Sequence, residues 1–196
     1  MEVEIPTSEK RFFKNLTNDT ILYGSKTQSR LHIPTFKAWG KWTQENDTIN
    51  NAWSKQEYLS YRDEYYYDFS YSPDTISIDD LKLLKNNRII VPTAILIGHN
   101  TASAAEDFLI YADNQKHITK IGEPTFGSTG QPMLFDLVNG CKARVCTKKD
   151  TYPNGKEFVG IGIQPDIMIK KNLTDYMENR DIVLEKTIEY LNISNN

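Results

Sequence analysis

Little in this chain invites a metal, a disulfide framework or a nucleic acid. Its 196 residues include two cysteines and three histidines. Cys141 and Cys146 fit no zinc-ligand spacing, and His32, His99 and His117 lie far apart in sequence, so no structural metal and no cofactor is expected. If the two thiols share a strand, their odd separation points them to opposite faces, and they should not bridge each other. Basic residues form no long run, the net charge is −3, and no phosphate-tracking surface is expected, which argues against a nucleic-acid partner. No apolar run approaches the roughly twenty residues that span a bilayer. Met1-Glu2-Val3-Glu4 is acidic and leads into no apolar segment, so no signal peptide is read there. What is present is ordinary for a globular protein: 25% charged and 39% hydrophobic residues, enough to bury the core of one domain.

The informative stretch is Ile89 to Asp107. Ile89-Ile90-Val91-Pro92-Thr93-Ala94-Ile95-Leu96-Ile97 is apolar without alternation, which predicts a strand buried on both faces of a sheet. After Gly98-His99-Asn100, the alanine-rich segment through Ala112 predicts a helix. A strand turning into a helix leaves unpaired N–H groups at the helix start, where negative charge is favoured. A serine there can attack a carbonyl and have its oxyanion held, and Ser103 occupies that place. The same residues have a plainer reading: Ser103 and Glu106 have the spacing of a capping box, and Thr101 is an alternative cap.

Elsewhere the chain reads as strands, turns and helices of one α/β domain, with residues 1–80 the least determined portion. Ser8 is the expected cap of a helix to Leu16, Thr20 to Gly24 a strand, and Ser77 to Leu84 a short capped helix. Trp39, Trp42, Trp53 and a run of tyrosines from Tyr58 to Tyr71 suit either a half-buried insertion or the lining of a substrate groove. His117 to Gly122 and Met133 to Val138 predict strands. Asn139-Gly140 is a strong hairpin signal, with a return strand alternating from Cys141 to Lys148. Turns follow at Pro153-Asn154-Gly155 and around Gly160 and Gly162, then a strand at Ile167 to Ile169. A terminal helix from Asp181 to Leu191 is expected to dock through Leu184, Ile188 and Leu191.

Three blocks, Asn100-Thr101-Ala102-Ser103-Ala104-Ala105-Glu106, Ile121-Gly122-Glu123-Pro124-Thr125-Phe126-Gly127 and Gly160-Ile161-Gly162-Ile163-Gln164-Pro165-Asp166, together resemble the S41 family of serine peptidases, the C-terminal processing or tail-specific proteases and their tricorn-like relatives. The resemblance implies a crotonase- or ClpP-like ββα superhelix and an endopeptidase acting on a polypeptide substrate through an acyl-enzyme. It makes Ser103 the nucleophile and the Ala104 N–H half of the oxyanion hole. It also places Gly127, Ser128, Gly162 and Asp166 as structural residues near the site, and implies an exported or cell-envelope location.

Departures from the family pattern set further expectations. Where the processing proteases carry a lysine base, this chain has Ser128, and a hydroxyl is no base at neutral pH. His32 and His99 are the remaining candidates for a base, each with a loop role as the alternative, and His117 is expected to be structural. The family's Asp-Leu-Arg-x-Asn-x-Gly-Gly segment, whose glycine amide completes the oxyanion hole, is not found upstream of Ile89. The chain therefore reads as the C-terminal part of an S41 catalytic domain, inactive alone. Glu157 is a candidate orienting carboxylate or a solvated strand end. Asp166 is expected to bond the backbone of its own turn. Arg144 and Lys148 suit a substrate's terminal carboxylate or a solvated edge. The competing functional reading is a non-catalytic module binding peptides or apolar ligands on the same fold; acyl-CoA chemistry is a third, weakened by Pro165-Asp166.

Overall fold

A computed structural model describes residues 12–28, 43–49, 74–75 and 88–194, together with Ala38, Gly40, Lys41 and Tyr58. The expected Ser8 cap, the three tryptophans, most of the tyrosine run, His32 and the expected helix at Ser77 to Leu84 lie outside those residues. The described strands are β1 (Ile21–Leu22), β2 (Lys26–Gln28), β3 (Asp74–Thr75), β4 (Thr93–Ile97), β5 (Ile118–Gly122), β6 (Met133–Asp136), β7 (Lys142–Val145), β8 (Lys149–Thr151) and β9 (Ile167–Met168). The α-helices are α1 (Ala104–Ala112), α2 (Leu173–Met177) and α3 (Ile182–Ser194). Mixed sheets and helices make this an α/β protein. The chain divides into two compact units.

One unit, Ile5–Ser25 with Pro73–Ser128 and Tyr152–Asn196, holds the motif blocks. Its main sheet is parallel in the order β4-β5-β9, with Ile95 opposite Lys120 and Ile121 opposite Ile167. Helix α1 returns the chain from β4 to β5 as a crossover. Its run Phe108 to Ala112 is apolar all round because the helix lies between two core clusters. One contains Phe13, Leu16, Leu22, Tyr111, Ala112 and Ile118; the other contains Ile97, Leu109, Ile110, Phe158 and Ile163. Ile95 and Phe108 pack against both.

Two expectations are overturned in this unit. β4 is not buried on both faces: among the described residues it is the sheet's edge strand, and Leu96 is 41% exposed. Bonds from Thr93 N–H to the His117 carbonyl and from Glu123 N–H to the Ile97 carbonyl turn the odd residues toward β5. Ala94 and Leu96 therefore present their backbone groups to the open side, the arrangement that templates further strand pairing. Helix α3 packs on β4 and β5, but of the three expected docking residues only Leu191 is half-buried, while Leu184 and Ile188 are exposed, the latter 51%. Thr187 is buried instead, and the Tyr190 hydroxyl meets that of Thr119 at 3.2 Å. Val183 and Leu191 are half-buried on either side of Thr187.

The other unit, Met1–Glu4 with Lys26–Ser72 and Thr129–Thr151, contains two antiparallel pairs. In β6–β7, Met133 faces Val145 and Asp136 faces Lys142. Asn139 (φ 58°) and Gly140 (φ 74°) both take the left-handed backbone that a type I′ turn requires. Cys141 and Cys146 flank β7 rather than share it, as free, exposed thiols. The β2–β8 pair joins Lys26 to Thr151 and Gln28 to Lys149. It encloses Asp150, which is fully buried and accepts bonds from the hydroxyls of Thr27 at 2.6 Å and Thr129, with Lys148 Nζ at 3.1 Å.

Candidate active site

Ser103 stands where β4 has passed through a tight turn and α1 begins. Thr101 closes that turn: its N–H donates to the Gly98 carbonyl at 2.8 Å, and its hydroxyl accepts from the Gly98 N–H at 3.2 Å. Thr101 is therefore occupied before the helix starts and is not its cap. Ser103 precedes the first helical residue, but with φ 59° and ψ −126°, whereas an ordinary N-cap is extended with negative φ. A non-glycine residue held there costs about 1–3 kcal/mol and persists only where its surroundings enforce it. A strained serine on a strand-to-helix turn is the geometry of a nucleophile elbow. Ser103, Ala104 and Ala105 are exposed, and the Ala104 N–H has no acceptor among the described residues, as befits a first-turn amide.

Glu106 enforces this backbone. It is fully buried, and both carboxylate oxygens are saturated. Oε2 accepts from the N–H groups of Ser103 at 3.1 Å and Ser128 at 2.9 Å, while Oε1 accepts from Gly127 N–H at 2.7 Å and the Thr125 hydroxyl at 2.5 Å. The Ser103 N–H is shared with the Ser128 carbonyl at 2.8 Å. The reciprocal arrangement of a capping box is present, yet three of Glu106's four donors lie on a loop some twenty residues downstream. The side chain's larger role is to staple that loop to the serine turn.

Thr125 carries the tie to the third block. Its hydroxyl accepts from Ile163 N–H at 2.7 Å, and its N–H donates to the Ile163 carbonyl at 3.1 Å. Gly127 accepts from Gly160 N–H at 2.7 Å. Gly162, at φ 84°, lies so close that a Cβ there would sit 2.2 Å from the Thr125 carbonyl oxygen, so the backbones meet only because no side chain intervenes. Asp166 reaches further than its own turn. Its Oδ2 accepts from Lys120 N–H at 2.7 Å and its N–H donates to the Lys120 carbonyl at 2.8 Å, fastening the block to β5. The expected local role for Asp166 is replaced by this pairing, and Lys120 Nζ also binds Asp113.

Ser103, Glu106, Gly127, Ser128 and Gly162 are thus brought together around Glu106 and Thr125, with Ala104 adjoining Ser103 in sequence and Asp166 fastened separately to β5 through Lys120. Glu157 is exposed beside the buried Phe158. His99 is exposed, with its ring centroid 5.0 Å from that of Phe126. His117 immediately precedes β5, its Nε2 buried without a partner among the described residues. Lys148 is engaged by Asp150 rather than free to meet a substrate. Thr125 and Phe126 were visible in the sequence only as motif letters; nothing local shows that the one hydroxyl bridges two blocks.

With this geometry in view, similarity to known proteins is specific. The model of peptidase family S41 matches residues 39–169. A carboxyl-terminal-processing protease from Synechocystis is 30% identical over 87 residues, covering 44% of this chain and 20% of that protein. The carboxy-terminal processing protease CtpA of Bacillus subtilis is 27% identical over 107 residues, covering 55% and 22%. In fold, the chain resembles a crystal structure described as a putative peptidase from Parabacteroides merdae, with a TM-score of 0.60 and 21% identity over 93% of this chain and 46% of that one. The chain spans about a fifth of the length of these curated relatives. No helix among the described residues is long and apolar enough to cross a membrane. Over most of its length, this chain belongs to peptidase family S41.

Proposed function

We propose that the chain is the nucleophile-bearing part of a serine endopeptidase of crotonase- or ClpP-like ββα architecture. Ser103 attacks the scissile carbonyl of a polypeptide, and the Ala104 N–H stabilises one side of the oxyanion. Glu106, Thr125, Gly127, Gly162 and Asp166 hold that geometry without touching substrate. The observation that carries this reading is the backbone of Ser103, a left-handed, exposed serine stapled in place by a buried carboxylate. A serine serving only as a cap gains nothing from the strain.

The matched motifs supply neither a general base nor a second oxyanion donor, and this reading requires both from residues beyond those motifs. Family membership favours an exported or envelope setting for the assembled enzyme. The test is reaction with a fluorophosphonate: the 196-residue chain should label slowly at Ser103, Ser103→Ala should not label, and peptide hydrolysis by the chain alone should be undetectable. An unreactive Ser103 would instead favour the binding-module reading, which the serine at position 128 supports. Hydrolysis that disappears in Ser103→Ala would show that the chain carries its own base.

A further inference from the structure

Helix α2 is built inside out, and we infer that its outward face is the contact through which two copies of this chain associate about a two-fold axis. Asp175 is 3% exposed, whereas Leu173, Tyr176 and Met177 are each at least 63% exposed. The spacing of those three, i, i+3 and i+4, sets them on one face of the helix. Its polar side is the anchored side. Asp175 accepts from the Asn172 N–H at 2.9 Å and Asn172 from the Asp175 N–H at 3.0 Å, closing a capping box. The Asp175 carbonyl accepts from the Arg180 N–H at 2.9 Å, and the Arg180 guanidinium bonds Glu185 of α3. A helix of five residues does not hold itself in water. These bonds fix it with its apolar face toward solvent, a display that loses stability unless a partner covers it.

Charge and size both fit a second copy. Lys170 and Lys171 precede α2, with Lys171 Nζ 4.7 Å from the centroid of the Tyr176 ring, while Glu178 and Asp181, both exposed, follow it. Two such helices laid antiparallel set the basic end of each against the acidic end of the other and bring Leu173 opposite Tyr176. A parallel pair would set like charges together. A two-fold axis delivers the antiparallel arrangement by itself, since residue i meets j while j meets i. The three apolar side chains expose roughly 400 Å², and a standard interface takes about 800 Å² from each partner. Helix α3, fastened to α2 through Arg180, adds the exposed Leu184 and Ile188 toward that total. Tyrosine and methionine are also residue types that interfaces enrich.

The test is sedimentation equilibrium of the 196-residue chain from micromolar to submillimolar concentration, with a reductant present so that Cys141 and Cys146 form no bridge between copies. The chain should pass from monomer to dimer. Met177→Glu should weaken the dimer by about tenfold or more, and because the side chain is exposed, the urea midpoint of the dilute monomer should not fall. Lys171→Glu and Glu178→Lys should each weaken it by about threefold, and the chain carrying both should recover most of that loss, because each copy then offers the pair in reverse. A chain that stays monomeric throughout, or a dimer indifferent to Met177→Glu, overturns the inference and leaves the face to a different partner. A double variant no tighter than the singles overturns the antiparallel two-fold contact. None of these readings involves Ser103, so they stand or fall apart from the peptidase reading.

Discussion

Among the described residues two carboxylates are completely buried, and they are satisfied in opposite ways. Asp150 lies in an antiparallel pair, facing two threonine hydroxyls and the ammonium of Lys148. Glu106 has no cation among its hydrogen-bond partners; three backbone N–H groups and one hydroxyl fill its acceptor sites. A hydroxyl can turn and accept where it previously donated, but a backbone N–H can only donate. The first arrangement therefore tolerates a change in its centre, and the second does not. Glu106 fixes where three peptide planes point, while Asp150 joins strands β2 and β8 to the chain at Thr129.

This difference is open to direct attack. Glu106→Gln should destabilise the fold by about 3 kcal/mol, because the new amide NH₂ meets backbone donors that cannot reverse. Asp150→Asn loses the attraction of Lys148, but its amide can donate to a reoriented threonine hydroxyl, and about 1–2 kcal/mol is expected. Urea unfolding of both variants decides the matter; a larger loss at Asp150 would refute the distinction. Glu106→Gln should also slow labelling of Ser103 beyond what its residual folded fraction explains, with Asp150→Asn leaving the labelling rate of the folded protein in place.

A smaller effect isolates the strain. At φ 59° and ψ −126°, serine and alanine carry the same backbone penalty, and glycine does not. Ser103→Gly should be more stable than Ser103→Ala by about 1–2 kcal/mol, the reverse of the order found in ordinary extended or helical backbone. Equal stabilities would mean that the turn relaxes in solution and that Glu106 enforces nothing. Gly and Ala at Thr129, beside Asp150, serve as a reference where backbone strain is not at issue.

The comparison also explains what could be read in advance. The pairing of Ser103 with Glu106 spans three residues, so its spacing is visible, and β4, α1, β5 and the Asn139-Gly140 turn follow from local patterns. The family blocks pointed to one site, and the network joins them. Hidden were the long-range contacts: Thr125 to Ile163, Asp166 to Lys120, and the pairing of β2 with β8 across more than a hundred residues. Lys149-Asp150-Thr151 looks like a solvated segment because its partner is not nearby in sequence. Helix α2 escaped because its cap is Asn172 with Asp175, and Leu173, Tyr176 and Met177 remain exposed. Periodicity misjudged Leu184 and Ile188 of α3 and the surroundings of β4 because both depend on what lies against them.

The subtlest expected effect concerns Tyr152, half-buried against Phe158 with ring centroids 5.6 Å apart. Its phenol is raised above the ordinary 10.0, first by burial and then by the negative charges of Asp166 and Glu106. Since the folded form resists ionisation, the contribution to stability is complete below about pH 10 and declines as pH rises from there through the folded value. Glu106→Gln removes one of the opposing charges and should bring the Tyr152 titration back toward its ordinary value, as followed through the ring carbon signals. Asp150→Asn should leave that titration in place, although Asp150 is only two residues away in sequence, because its charge is not among those that raise the phenol. If both variants moved Tyr152 equally, the two carboxylates would share one electrostatic environment, and the contrast between a carboxylate that orients peptide groups and one that joins strands would fail.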